Sequence, residues 1–185
     1  MLDELLDDAS RHMDLSLGVL DHELTGIRTG RASTSFVEGL MVEAYDSQSP
    51  LNTLATLAVP EARLLVVQPW DKSIMTAIER AIENSDLGIT PSNDGTVIRL
   101  PFPPLSEERR RDLVKLVKSK VEEAKVAVRN IRRDAQDDIR EAEKEKMCSQ
   151  DDAHKALDRL QEITDSKAVL AEEAGERKEA EVLEV

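Results

Sequence analysis

Apolar residues in the first 27 positions fall on one line: Leu2, Leu6, Ala9, Met13, Leu17, Leu20, Leu24 and Ile27 advance in steps of three and four. That spacing places side chains on one face of an α-helix. The segment Thr29-Gly30-Arg31-Ala32-Ser33 reads as the connector that closes it. A second line runs through Val117, Val121, Ala124, Val128, Ile131 and Ala135, a heptad seam. Ser106 is placed to cap that helix, and Glu107 and Glu108 suit the positive end of its dipole. Continued to about Lys146, it would be roughly 60 Å long at about 1.5 Å per residue. Ser149, with Asp152 three residues on, offers a capping box for a third helix expected to turn Ala156, Leu160, Ile163, Leu170 and Ala174 inward. No such helix buries its own stripe. Three of comparable length bury all three stripes along a common axis.

Residues 32–104 follow a different pattern. Leu40 to Tyr45, Ala62 to Gln68 and Thr96 to Leu100 are short β-prone runs. Asp71 is expected to cap a helix carrying Ile74, Ile78 and Ile82, stopped at Leu87-Gly88, and Asn93-Asp94-Gly95 predicts a turn before the last strand. All seven prolines lie from Pro50 to Pro104 and all four aromatic residues from Phe36 to Phe102. The proline-free flanks can therefore hold long helices, since an interior proline costs about 3 kcal/mol. The expected class is α+β: an elongated bundle of three helices from residues 1–29 and 106–185, interrupted by a small mixed domain at 32–103. Two strands of chain join the parts, at 30–31 and 104–105, and a hinge is expected there.

Composition narrows the function. Leu, Ile, Val and Phe make up 48 of the 185 residues, about 26%, enough for a core but a thin one given only four aromatics. No stretch approaches the about 18 consecutive apolar residues of a membrane helix, and the acidic start lacks the features of a signal or transit peptide. A cytoplasmic protein is expected, and the single Cys148 agrees with a reducing compartment. His12, His22 and His154 have no zinc-site spacing, no phosphate-binding glycine loop or nucleophile elbow is present, and the carboxylates read as solvated helix faces. No catalytic centre, metal or cofactor is expected.

Charge supplies the sharp local feature. The chain carries a net charge of −13, yet the stretch from Arg109 to Arg133 holds ten basic and three acidic residues. On the heptad, 111, 118, 125 and 132 share position e, while 115 and 129 share b, so they form a continuous basic shoulder beside the seam. Such a shoulder can be a solvated face, or can pair with carboxylates of the neighbouring helices. Arg129, Arg132 and Arg133 favour a further task, because arginine's planar fork grips phosphate bidentately and stacks on bases. A rigid positive ridge suits folded RNA, which is read through shape and phosphate position. The competing class is a coiled-coil protein-binding module, such as a chaperone cofactor, which leaves the arginines without a task.

The blocks Ile27-Arg28-Thr29-Gly30-Arg31-Ala32-Ser33, Pro60-Glu61-Ala62-Arg63, Ser85-Asp86-Leu87-Gly88-Ile89, Pro104-Leu105-Ser106-Glu107-Glu108-Arg109-Arg110 and Val126 to Asp134 resemble, in order and separation, the bacterial ribosome recycling factors. The resemblance spans nearly the whole chain. It implies an L-shaped two-domain molecule without a catalytic centre. It also implies a translation factor that splits the post-termination ribosome together with elongation factor G and its GTP hydrolysis. The bundle would lie on the intersubunit face of the large subunit against 23S ribosomal RNA. The implied RNA-binding residues are Arg110, Arg129 and Arg132, with Arg28, Arg31 and Arg133. The implied hinge is Gly30 and Arg31 with Pro104 and Leu105. A monomer is expected, since the three seams satisfy one another.

Overall fold

The computed structural model describes residues 1–184. Residue 185, the last of the expected bundle range, lies outside the described residues. The chain divides into two compact units, Met1–Arg28 with Glu107–Glu184, and Thr29–Ser106. The residues expected as connectors, Gly30-Arg31 and Pro104-Leu105, fall within the second unit.

The first unit consists of α1 (Leu2–Thr25), α3 (Glu107–Lys144) and α4 (Gln150–Leu183). Helix α1 buries Leu6, Ala9, Met13, Leu20 and Leu24, and α3 buries Leu113, Val117, Ala124, Val128, Ala135, Ile139 and Ala142. Two apolar layers result. Leu6, Met13, Val128, Ile139, Ala156 and Leu160 share one, and Leu20, Leu24, Val117, Ala124 and Ala171 share the other. The start of α1 thus meets the end of α3, so those two helices are antiparallel. Ion pairs Asp3–Arg159 at 2.6 Å and Asp14–Lys167 at 2.5 Å run in step along α1 and α4, which are parallel.

Ser149 caps α4 by accepting from the Asp152 amide at 3.1 Å, as its position predicts. The inward line of α4 differs from expectation. It passes through Leu160, Thr164, Ala171, Gly175 and Val182, and Leu170 is 45% exposed. Spacing decides this: steps of four and seven keep the line over the seam, whereas Leu170 sits one residue, about 100°, away from Ala171. Thr164 enters the core because its hydroxyl donates to the Leu160 carbonyl at 2.8 Å, which satisfies the buried polar group within the helix.

The second unit holds a two-stranded sheet, β1 (Met41–Ala44) with β2 (Ser47–Pro50), and a four-stranded antiparallel sheet of β3 (Ala55–Glu61), β4 (Leu64–Pro69), β5 (Ser92–Asn93) and β6 (Ile98–Pro101) in the order β3-β4-β6-β5. Helix α2 (Met75–Glu83) buries Met75, Ile78 and Ile82 in the core with Val67, Ile98 and Leu100. Asp71 caps the turn that leads into α2 by accepting from the Ser73 amide at 2.8 Å. Helix α2 ends at Glu83, before the expected stop at Leu87-Gly88, and Gly88 at φ +65° lies in the following turn. Three strands, β2, β3 and β5, lie outside the runs expected from the sequence. Pro60 is tolerated because β3 is an edge strand whose register shifts between Ala58 and Glu61.

Candidate nucleic-acid interface

Four of the six arginines singled out by sequence lie on α3. Arg129, Arg132 and Arg133 are within one turn, about 6 Å of helix rise. Arg110 is 19 residues nearer the N-terminus on the same helix, roughly 28 Å away at about 1.5 Å per residue. Arg28 follows α1 at the same end of the bundle as Arg110, since Leu24 and Val117 share an apolar layer. Arg31 belongs to the other unit. Arg28 and Arg31 each have interaction partners of their own. The structure therefore gathers a group of three and leaves the others apart from it.

The shoulder is partly neutralised. Lys125 Nζ lies 2.6 Å from Glu172 of α4, and Lys120 Nζ lies 3.3 Å from Glu23 of α1 and 3.2 Å from Glu123. Hydrogen bonds from Lys120 to Glu123 and then Glu23 raise its pKa above the ordinary lysine value. These two lysines serve the bundle first. Arg129 donates to Glu122 at 2.7 Å along its own helix, which holds the Glu122 carboxyl below its ordinary range. Both side chains are half exposed, so the pair is screened by water and salt and gives way easily to a stronger anion.

Arg132 and Arg133 are differently placed. Arg132 is half-buried and Arg133 exposed. Arg132 reaches Gln136 Oε1 at 3.5 Å, at the limit of a hydrogen bond. With the Gln136 amide turned over, its oxygen instead accepts from Arg140 at 2.6 and 3.1 Å, and Arg132 is released. Arg129 and Arg132 line a groove of about 320 Å³ between α3 and α4 together with Gln161, Thr164 and Asp165. Arg129 and Arg132 thus carry planar guanidinium forks that are not committed to buried partners, and both project from one helix.

Arg140 was not picked out by sequence. It stands seven residues beyond Arg133, so it extends the same face by one heptad. The net-basic window ends at Arg133 because Asp134, Asp137 and Asp138 intervene, but periodicity rather than local charge carries the signal. Arg110 has a further peculiarity, since its Nε is buried with no hydrogen-bond partner among the described residues. It borders an open groove with Val114, Lys118, Glu179 and Leu183. Among the described residues no His, Cys, Asp and Glu cluster could hold a metal ion, and no helix is long and apolar enough to cross a membrane.

Comparison with known proteins agrees along the whole chain. A family model described as ribosome recycling factor matches residues 20–183. Ribosome-recycling factors of Chloroflexus aurantiacus and Halalkalibacterium halodurans are 51% and 52% identical over 185 residues, with 100% of each chain covered. A solution structure of ribosome recycling factor is 41% identical with a TM-score of 0.76, covering 100% of this chain and 98% of that one. A second solved structure is 46% identical with a TM-score of 0.65 and covers 99% of both chains. It belongs to models of the T. thermophilus ribosome recycling factor and E. coli elongation factor G bound to the E. coli post-termination complex. With a family match over most of its length and full-length relatives at half identity, this chain belongs to the ribosome recycling factor family.

Proposed function

We propose that the chain recycles ribosomes after termination, as a non-enzymatic factor that separates the post-termination complex into subunits with elongation factor G and GTP and so releases the mRNA. The observation that carries this reading is the arginine group on α3, presented by a rigid bundle in a chain that is otherwise strongly acidic. Arg110, Arg129, Arg132 and Arg133, with Arg28 and Arg31, anchor the bundle on the 23S ribosomal RNA of the large subunit. Arg129 leaves Glu122 when a phosphate arrives, because a desolvated bidentate contact is stronger than a solvated ion pair. Surrounding negative charge discourages RNA from settling elsewhere on the molecule.

Motion is assigned to the connectors. Gly30 at φ +80° and the segment Pro104-Leu105 form a paired hinge on which the inserted domain, residues 32–103, turns when elongation factor G pushes. A bundle fixed on RNA then converts that push into force on an intersubunit bridge. The chain works as a monomer in the cytoplasm, where its ribosomal target resides. The test is light scattering of purified post-termination ribosomes mixed with this protein, elongation factor G and GTP, with each component omitted in turn. A drop in scattering that requires all three is expected. Intact ribosomes with all components present would overturn the reading.

A further inference from the structure

Two of the four aromatic residues are not in a core. Phe36 and Phe102 pack with ring centres 6.0 Å apart, but Tyr45 and Trp70 are 65% and 66% exposed. Both belong to one tip of the second unit. Tyr45 donates its hydroxyl to Asp71, the residue after Trp70, and the indole Nε1 donates to Thr56 on β3 at 2.9 Å. Each side chain is therefore held by its polar end in a residue that stays largely open to water. Rings immobilised in this way lose little entropy when a partner covers them.

The backbone marks the same place. Ala44 pairs with Ser47, so Tyr45 and Asp46 alone form the turn of the β1–β2 hairpin, and both have positive φ, 53° and 60°. Asn-Gly or Asp-Gly meets this demand most easily, and a bulky ring in the left-handed region is a strained choice. Packing of the second unit does not account for it, since Tyr45 is not part of its buried core. Strain kept at an exposed aromatic, and fastened there by a side-chain hydrogen bond, is the pattern of a recognition site.

Charge selects the partner. Asp46 follows Tyr45 in the hairpin turn, Asp71 follows Trp70 and accepts from the Tyr45 hydroxyl, and the second unit as a whole holds nine carboxylates against five Lys and Arg from Thr29 to Ser106. That field repels a phosphate chain. A guanidinium stacks on indole and phenol faces while its fork reaches an adjacent carboxylate. We propose that the Tyr45–Trp70 tip, with Asp46 and Asp71, is a docking surface for an arginine-bearing segment of a protein partner. It is separate from the RNA-facing arginines of α3, which lie in the other unit.

Trp70 is the single tryptophan of the chain, so intrinsic fluorescence reports on this tip directly. The test titrates the full-length protein at low salt with a blocked tri-arginine peptide, and separately with a uridine oligonucleotide. The peptide is expected to give a saturable change that weakens at least about fivefold in the double variant Asp46→Asn/Asp71→Asn. The substituted amide at position 71 retains an oxygen for the Ser73 N–H, so the turn into α2 persists. The charge-matched variant Asp137→Asn/Asp138→Asn, on the bundle, is expected to leave the affinity unchanged. Tyr45→Ala is expected to weaken the peptide also, and the Asp46/Asp71 pair keeps the test decisive should that hairpin fail to fold. Equal weakening by the two charge-matched variants, no saturable change, or tighter binding of the oligonucleotide than of the peptide would each overturn the proposal. No ribosome enters this experiment, so its outcome is separate from that of the splitting assay.

Discussion

Gly175→Ala probes the contact that sets the distance between α3 and α4. A Cβ on Gly175 would stand 2.5 Å from Val121 Cγ2, 3.7 Å from Val121 Cβ and 3.9 Å from Val117 Cγ1. Val121 is β-branched and in a helix holds one χ1 rotamer about 90% of the time, so it does not swing aside cheaply. The helices must separate, and overpacking of this kind costs about 1–3 kcal/mol. Against that, alanine is better than glycine inside a helix by about 1 kcal/mol. The net expectation is a loss of up to about 2 kcal/mol. In a Val121→Ala background the clash disappears and only the helical gain remains, so the same substitution should stabilise by about 1 kcal/mol. Urea unfolding followed by circular dichroism at 222 nm, where α1, α3 and α4 dominate, measures both. Equal stabilisation by Gly175→Ala in the two backgrounds would refute the close approach. The same spacing sets the reach of Lys125 to Glu172 across this groove.

Three further expectations follow from the geometry. Glu122→Gln frees Arg129 and removes a carboxylate from the shoulder, so ribosome affinity should rise and its salt dependence steepen in co-sedimentation; weaker binding would speak against Arg129 as an RNA contact. Gly30→Ala is strained at φ +80° and brings a Cβ to 3.1 Å from Leu105 Cγ, so it should lower the melting temperature of the second unit, with partial recovery in Leu105→Ala; an unchanged transition would contradict the tight crossing. The carboxyl of Asp94 is held down to about 2 by the Val97 amide, the Arg99 guanidinium and the Thr96 amide. A depressed carboxylate stabilises above its unfolded value of 3.8 and loses that contribution as pH falls toward about 2. Asp94→Asn should therefore flatten the acid limb of stability between those values, and an identical acid limb in the variant would exclude the turn as its source.

The helices were readable because a stripe repeated over 24 or more residues cannot be imitated by a short strand. The caps at Ser149 and Asp71 were readable for a local reason, as each side chain satisfies an amide two or three residues away. Strand β2 was not, since Ser47-Gln48-Ser49-Pro50 carries no apolar alternation and exists only through pairing with β1. Strand β3 was hidden by Pro60 and by its mostly exposed edge position. The inward line of α4 departs from expectation at Leu170 because spacing outweighs hydrophobic size, and the true contacts at Thr164, Ala171 and Gly175 are small residues that let helices approach. In the candidate interface, the arginine cluster stood out as a charge anomaly. The partners that temper it, Glu122 along the helix and Glu172 across the groove, depend on side-chain reach that a linear sequence does not display.

In the proposed mechanism, arginines of α3 hold the factor on the ribosome while partner-driven motion does the splitting. Stopped-flow light scattering of post-termination ribosomes, run over a range of factor concentrations with elongation factor G and GTP, separates the two parts. Arg132→Ala should require a higher concentration for half-maximal rate, by the factor of roughly 5 to 150 that corresponds to about 1–3 kcal/mol for a bidentate contact, and should reach the same limiting rate. An unchanged concentration dependence, with the fold intact, would contradict the anchoring role of the shoulder.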